Sequence, residues 1–293
     1  SYSKYLHLLI TSFEHKNIEN IKYILGLMGE KEKNYDITKA FIVAAKSGST
    51  EICQCLIDDD NTNIDNQQFF DEIETLGSLK KDIYSIILES STPELRESIL
   101  QITLNSAISN KNKELIQFLL DKNVKCDDAL INAAKSNDID IVNIVLDHNS
   151  RPSFINKKSG NGTALYIATN KNNLEIVKRL LSIPGIDPNL YDNDDKTPLI
   201  SSIVHFNLDI MNEILNFYGE SIQSQTWQLD KAIKLTLGML SSNTNTKTND
   251  DRRNERTTSR REQSRENEMS NKKALLLKIL NRILEIKNID PNL

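Results

Sequence analysis

Leu174-Glu175-Ile176-Val177-Lys178-Arg179-Leu180-Leu181 sets an acid ahead of apolar residues at i, i+1, i+4 and i+5. On a helix those four positions share one face. The carboxylate falls in the first turn, against the positive end of the helix dipole, a placement worth about 0.3–1 kcal/mol. The pattern recurs as Glu51 with Ile52, Cys53, Leu56 and Ile57, and as Asp82 with Ile83, Tyr84, Ile87 and Leu88. It returns as Glu114 with Leu115, Ile116, Leu119 and Leu120, as Asp140 with Ile141, Val142, Val145 and Leu146, and as Asp209 with Ile210, Met211, Ile214 and Leu215. A weaker copy is Glu19 with Ile21, Ile24 and Leu25. Chance does not readily set seven acids in one register.

Eight residues before the first apolar position of each full copy stands a small residue, namely Ala44, Thr75, Ala107, Ala133, Ala168 and Ser202, and Ser12 stands nine before Ile21 in the weaker copy. Each lies in a further helix-like segment, where a small side chain lets two antiparallel helices approach closely. The recurrence predicts a helix–turn–helix unit with a period near ~33 residues. The spacing shortens between Ala107 and Ala133, which leaves 123–128 as a tight connection with no room for a hairpin loop.

These residues resemble the ankyrin repeat family, whose signature is Thr-Pro-Leu-His-x-Ala after a turn, followed by two helices. Thr197-Pro198-Leu199-Ile200-Ser201-Ser202 keeps the first three positions, and Thr163-Ala164-Leu165-Tyr166-Ile167-Ala168 keeps Thr, Leu and Ala. The segment from Asp187-Pro188-Asn189 to Lys196 is similar to the family's finger loop, with Asp195 where Gly is usual; Ile155 to Gly162 is a shorter finger. The resemblance is most specific over 128–219. It implies an all-α fold, an ankyrin-type α-solenoid of stacked helix–turn–helix repeats with short finger loops. HEAT and tetratricopeptide stacks are the structural rivals, and the Asp-Pro-Asn finger argues against both.

Composition agrees with a helical reading. The 293 residues include nine Gly and six Pro, with 38% hydrophobic and 26% charged residues. A net charge of −5 gives no general attraction to phosphate backbones. Three cysteines make no disulfide framework and suggest a reducing compartment. No apolar run approaches the ~18 residues of a membrane span. The start at Ser1-Tyr2-Ser3 carries no secretory pattern and no initiator Met. The expectation is a monomeric, cytoplasmic (intracellular) protein with no membrane association, whose native form has further repeats beyond Leu293.

From Ser241 to Asn271, Met269 is the only hydrophobic residue, so this segment is expected to be disordered. Ile186-Asp187-Pro188-Asn189-Leu190 returns as Ile289-Asp290-Pro291-Asn292-Leu293, which suggests that 241–271 interrupts one repeat. The expected organisation is therefore an array over 1–240 (about seven repeats and the first helix of an eighth), an insertion over 241–271, and the second helix with the start of a further finger over 272–293. Loop insertions cost little closure entropy.

Chemistry-bearing residues read more simply as structure. Cys53 occupies an apolar slot and, with Cys55, lacks ligands at metal spacing. His7, His15, His148 and His205 are scattered along the array. Gly160-Asn161-Gly162 reads as a finger turn rather than a phosphate cradle, and Trp227 as a core residue. No catalytic residue, cofactor or metal is expected.

A stack of helix pairs offers an extended surface suited to a protein or peptide partner. By the resemblance, contacts come from finger tips and the inner helix: Lys158, Asn161, Asn170 and Lys171 in one repeat, and Tyr191, Asn193, Asp194, Lys196, Val204 and His205 in the next. Two alternatives stand beside a non-catalytic scaffold. One is a targeting arm of a larger enzyme. The other is a weak nucleic-acid scaffold using Arg252, Arg253, Arg256, Arg260, Arg261 and Arg265, which six interleaved acids and the lack of aromatics disfavour. Ser259 and Ser264, each with Arg three residues before, are candidate phosphorylation sites.

Overall fold

The structure, a computed structural model, describes residues 4–58, 81–122, 124, 127–219, 226–242 and 258–289. Thr75 lies outside them. The chain forms two compact units, Ser1–Asn149 and Ser150–Leu293. Every regular element among the described residues is a helix; the one β-feature is an isolated bridge between Ser159 and Gly162.

In the first unit, helices α1 (Lys4–Glu14), α3 (Glu30–Ser47), α6 (Pro93–Ser109) and α8 (Ala129–Ser136) are first helices of hairpins. Their second helices are α2 (Ile18–Leu27), α4 (Thr50–Ile57), α7 (Lys113–Asp121) and α9 (Ile139–His148); α5 (Lys81–Glu89) belongs to the same row. First helices pack in the pairs α1–α3 and α6–α8, and second helices in the succession α2, α4, α5, α7, α9. The second unit repeats this plan. After the short α10 (Pro152–Ile155), α11 (Ala164–Asn170), α13 (Pro198–Val204) and α15 (Thr226–Ser242) form one row. Helices α12 (Leu174–Leu181), α14 (Leu208–Gly219) and α16 (Thr258–Ile289) form the other.

A single joint, built from local hydrogen bonds, explains the eight-residue spacing. The carbonyls of Ser12, Ala44, Ala107, Ala168 and Ser202 accept the backbone N–H of Asn17, Ser49, Asn112, Asn173 and Asn207 at 2.8–3.2 Å. One residue earlier, Lys16, Gly48, Lys111, Asn172 and Phe206 adopt positive φ, and each N–H bonds the carbonyl three residues back. This is the Schellman closure of a helix C-terminus. The next residue is at once its last donor and the N-cap of the second helix. The side chains of Asn17, Asn112, Asn173 and Asn207 accept N–H groups three residues on at 3.0–3.1 Å. Asn137 is likewise left-handed, its N–H bonding the Ala134 carbonyl, and Asp138 caps Asp140 and Ile141. Small residue, left-handed residue, N-cap, acid and first apolar slot thus follow at i, i+4, i+5, i+7 and i+8, the slot falling at i+9 after Ser12.

The acids Glu19, Glu51, Asp82, Glu114, Asp140, Glu175 and Asp209 all lie in first turns. The small residues Ala44, Ala107, Ala133 and Ala168 are fully buried. So are Ile83, Tyr84 and Ile87 in α5, Ile116, Leu119 and Leu120 in α7, and Ile176, Val177 and Leu180 in α12. Ion pairs cross between neighbouring second helices: Lys81 with Glu114, Lys113 with the half-buried Asp138 and with Asp140, and Lys178 with Glu213.

Lys16 and Lys111 are exposed and hold φ of 48° and 56°. A left-handed conformation costs an L-residue about 1–2 kcal/mol and glycine almost nothing. Lys111→Gly is therefore expected to stabilise the protein by about 0.5–1 kcal/mol after the entropic cost of glycine in the unfolded chain, read as a higher urea midpoint at unchanged slope. A lower midpoint would show that the joint is not strained.

The C-terminal helix departs from expectation. α15 and α16 pack together, and Leu276, Ile279 and Ile283 are buried. α16 starts at Thr258, well ahead of Lys272, so its helical backbone takes in 258–271. Arg, Glu, Gln and Lys are good helix formers, and the buried turns downstream supply the nucleus from which the helix extends N-terminally. Residues 243–257 and 290–293 lie outside the described residues.

Candidate functional site

Two successive fingers of the second unit are organised by a few polar side chains. In the first finger, Ser159 and Gly162 exchange backbone hydrogen bonds of 3.1 and 3.0 Å. Gly162 has φ of 95°, and a Cβ there would meet the Tyr166 ring at 2.8 Å, so both the turn and the ring require glycine. Asn156 ties this finger to the next repeat: its Nδ2 donates to the Gly185 carbonyl at 2.7 Å, and its Oδ1 accepts the Asp187 N–H at 2.8 Å.

In the second finger Asp192 is the hub. Its Oδ1 accepts the N–H groups of Asp194 and Lys196, both at 2.9 Å, and the Tyr166 hydroxyl donates to the same carboxylate. Burial raises the Asp192 pKa. The Tyr166 hydrogen bond, the two N–H groups and the Lys196 charge outweigh it and hold the carboxyl below its usual range. Burial, then the bonded carboxylate, pushes the Tyr166 phenol up. Asp195 sits at φ of 56°, the conformation for which glycine is usual at this place, and its carbonyl accepts Lys231 Nζ at 2.7 Å. Thr197, fully buried, caps α13 by accepting the Ile200 N–H, with Pro198 at the first helical position.

All ten residues expected to meet a partner are exposed in this unit. Tyr191 is 45% exposed, and Lys158 Nζ lies 4.4 Å from its ring centroid while donating to the Asp192 carbonyl at 3.2 Å. This cation–π contact orients the ring, so Lys158 acts on the surface mainly through Tyr191. Lys196 pairs with Asp194 at 3.5 Å, and Asn193 and Asn161 lie at the finger tips. On the first-helix row, Asn170 accepts the Ser201 hydroxyl at 3.4 Å, and Lys171 and Val204 face solvent. His205 Nδ1 lies 2.8 Å from the Ser201 carbonyl. A carbonyl only accepts, so Nδ1 carries hydrogen and Nε2 is left for a partner.

Ser259 and Ser264 lie on the α16 backbone, but their side chains, like that of Trp227, fall outside the described ones. Cys53 and Cys55 are buried and in no disulfide, and burial pushes the Cys53 thiol up to about 12. Among the described residues no three His, Cys, Asp or Glu gather as a metal would require, and no helix is long and apolar enough to cross a membrane.

Sequence reading missed Asp192, Tyr166 and Asn156, which shape the site without facing a partner. The signal for Asp192 was its place ahead of the Asn193–Lys196 turn, where Asp closes local turns through its own side chain. Asn156 carried no such local signal.

Stacked helix hairpins joined by fingers define a helical-repeat protein. Residues 104–226 read as ankyrin repeats: a family model described as "Ankyrin repeats (3 copies)" matches 104–192 and 130–226. Among solved structures, the chain is similar to the ankyrin repeat domain of Bcl-3, described as a unique member of the IkappaB protein family. The TM-score is 0.52 at 16% identity, over 71% of this chain and 97% of that one. It also matches EF0377, an ankyrin repeat protein, with a TM-score of 0.33 at 19% identity, over 73% of this chain and 98% of that one. The Bcl-3 likeness speaks for the fold alone. No curated protein matches the chain.

Proposed function

We propose that the protein is a non-catalytic scaffold that binds a protein or peptide partner on the finger and inner-helix surface of its second unit. Ankyrin repeats are in general protein–protein interaction modules, and the finer reading rests on one observation. Two adjacent fingers and their first helices hold Tyr191, Asn193, Asp194, Val204 and His205 exposed on a framework fixed from beneath by Asn156, Tyr166 and Asp192. Preorganisation of this kind lowers the ordering cost of binding. Tyr191 is the aromatic anchor, already oriented by Lys158; Val204 adds an apolar contact and His205 a polar one.

The test begins with affinity purification and mass spectrometry to name partners, followed by titration of a purified partner against variants. Tyr191→Ala is expected to weaken binding about tenfold, as loss of an anchor costing more than ~1 kcal/mol does, with His205→Ala adding a smaller loss. Both variants should unfold at the wild-type urea midpoint. Wild-type affinity in the double variant would remove this surface from the interface.

A further inference from the structure

A short connection in the first unit opens a site of a different kind. Only Ser90, Ser91 and Thr92 join α5 to α6. In the second unit the 182–197 connection is long enough to bury Ile183 and Ile186 over its helix ends. With that roof shortened, a cavity of about 370 Å³ lies among α5, α6 and α7, lined by Ser85, Leu88, Glu89, Arg96, Leu100, Phe118 and Lys122. Its volume is within the range of small-ligand sites.

The walls and the rim differ in chemistry. Leu88 and Leu100 are almost fully buried and Phe118 half-buried, which gives an apolar floor. Arg96 is fixed at the rim: its Nε donates to the Leu88 carbonyl at 2.8 Å and its Nη2 to the Ser91 carbonyl at 3.0 Å. These bonds neutralise the C-terminal end of α5 and lock the guanidinium, leaving its Nη1 amino group to a ligand. Lys122 lies 5.4 Å from the Phe118 centroid, a second cation beside the apolar floor. Glu89 is the opposing charge, so the lining carries one net positive charge.

We propose that this cavity binds an apolar carboxylate, that is, a carboxylate on a short aliphatic or aromatic stem. The stem lies on Leu88, Leu100 and Phe118, and the carboxylate meets Lys122 and Arg96 through charge-assisted hydrogen bonds. Two sources share this chemistry, a free organic acid and the C-terminus of a peptide ending in an apolar residue.

The full chain is titrated with octanoate, phenylbutyrate, phenylbutanol, and a tripeptide ending in leucine with its carboxyl free or amidated, followed by saturation-transfer NMR. At least one carboxylate is expected to bind saturably, and phenylbutanol and the amidated peptide at least about fivefold more weakly. Tight binding of the free acids alone assigns a small organic acid, and of the peptide acid alone a chain end. Lys122→Gln should weaken the bound carboxylate about tenfold, and Glu89→Gln should tighten it about twofold; neither side chain is buried, so both variants should fold. No saturable carboxylate binding, equal binding of phenylbutanol, or the same affinity in Lys122→Gln overturns the proposal.

Discussion

Ile176→Ala is expected to cost about 2–5 kcal/mol of stability, the range for truncating a fully buried isoleucine. Ile176 is 0% exposed in the first apolar slot of α12, which packs on α11 of its own hairpin and on α14 of the next. Its helix therefore serves an intra-repeat and an inter-repeat interface at once. In a repeat array stability is close to a sum of repeat and nearest-neighbour terms, so one truncation weakens both. Lys178→Ala is the control on the same helix: it breaks an exposed pair with Glu213, worth about 1 kcal/mol or less. Urea unfolding should separate the two variants clearly. Hydrogen exchange should show the Ile176→Ala loss first as faster exchange of amides in 164–181. Equal midpoints for the two variants would contradict the stacking account.

What was legible in the sequence was what the chain enforces locally. The acid and the apolar slots it precedes are helical periodicity, and the small residue eight positions earlier reports one closely packed joint. Those features hold for α4, α7, α9, α12 and α14 alike. The joint's left-handed residue was hidden, because Lys16, Lys111 and Phe206 occupy a place at which glycine would have announced itself. The start of α16 was hidden for another reason: a polar run has no core to bury, yet its residues can propagate a helix nucleated further on. The finger framework was the least legible. Asn156 reaches Asp187, and Tyr166 reaches Asp192, only after the repeats stack. The surface residues could be placed by resemblance, but the buried groups that hold them needed coordinates.

Asp192→Ala is expected to cost about 2–4 kcal/mol, since hydrogen bonds to a charged group contribute about 1.5–3 kcal/mol and donors left unpaired cost more. Three donors converge on this carboxylate: the Asp194 and Lys196 N–H groups and the Tyr166 hydroxyl. Truncation should loosen the whole finger, and with it the backbone that presents Tyr191 and the carbonyl that Lys158 grips, so partner affinity should fall along with stability. Asp192→Asn tests the charge separately. An amide oxygen can still accept the two N–H groups, so the variant should retain much of the stability while losing its dependence on acid. That dependence has a definite sign. The folded pKa lies below the ordinary 3.8, so the carboxylate's contribution is complete well above that value. It is lost as pH falls through the folded pKa, where the proton must displace a donor. Asp138 behaves in the same sense in the first unit: burial raises it, but Lys113 and the Ile141 and Asp140 N–H groups hold it low. Wild type should therefore lose stability as pH drops below about 4, and Asp192→Asn should lose less over the same window. Parallel acid titrations of the two proteins would show instead that Asp192 shapes the finger without its charge mattering.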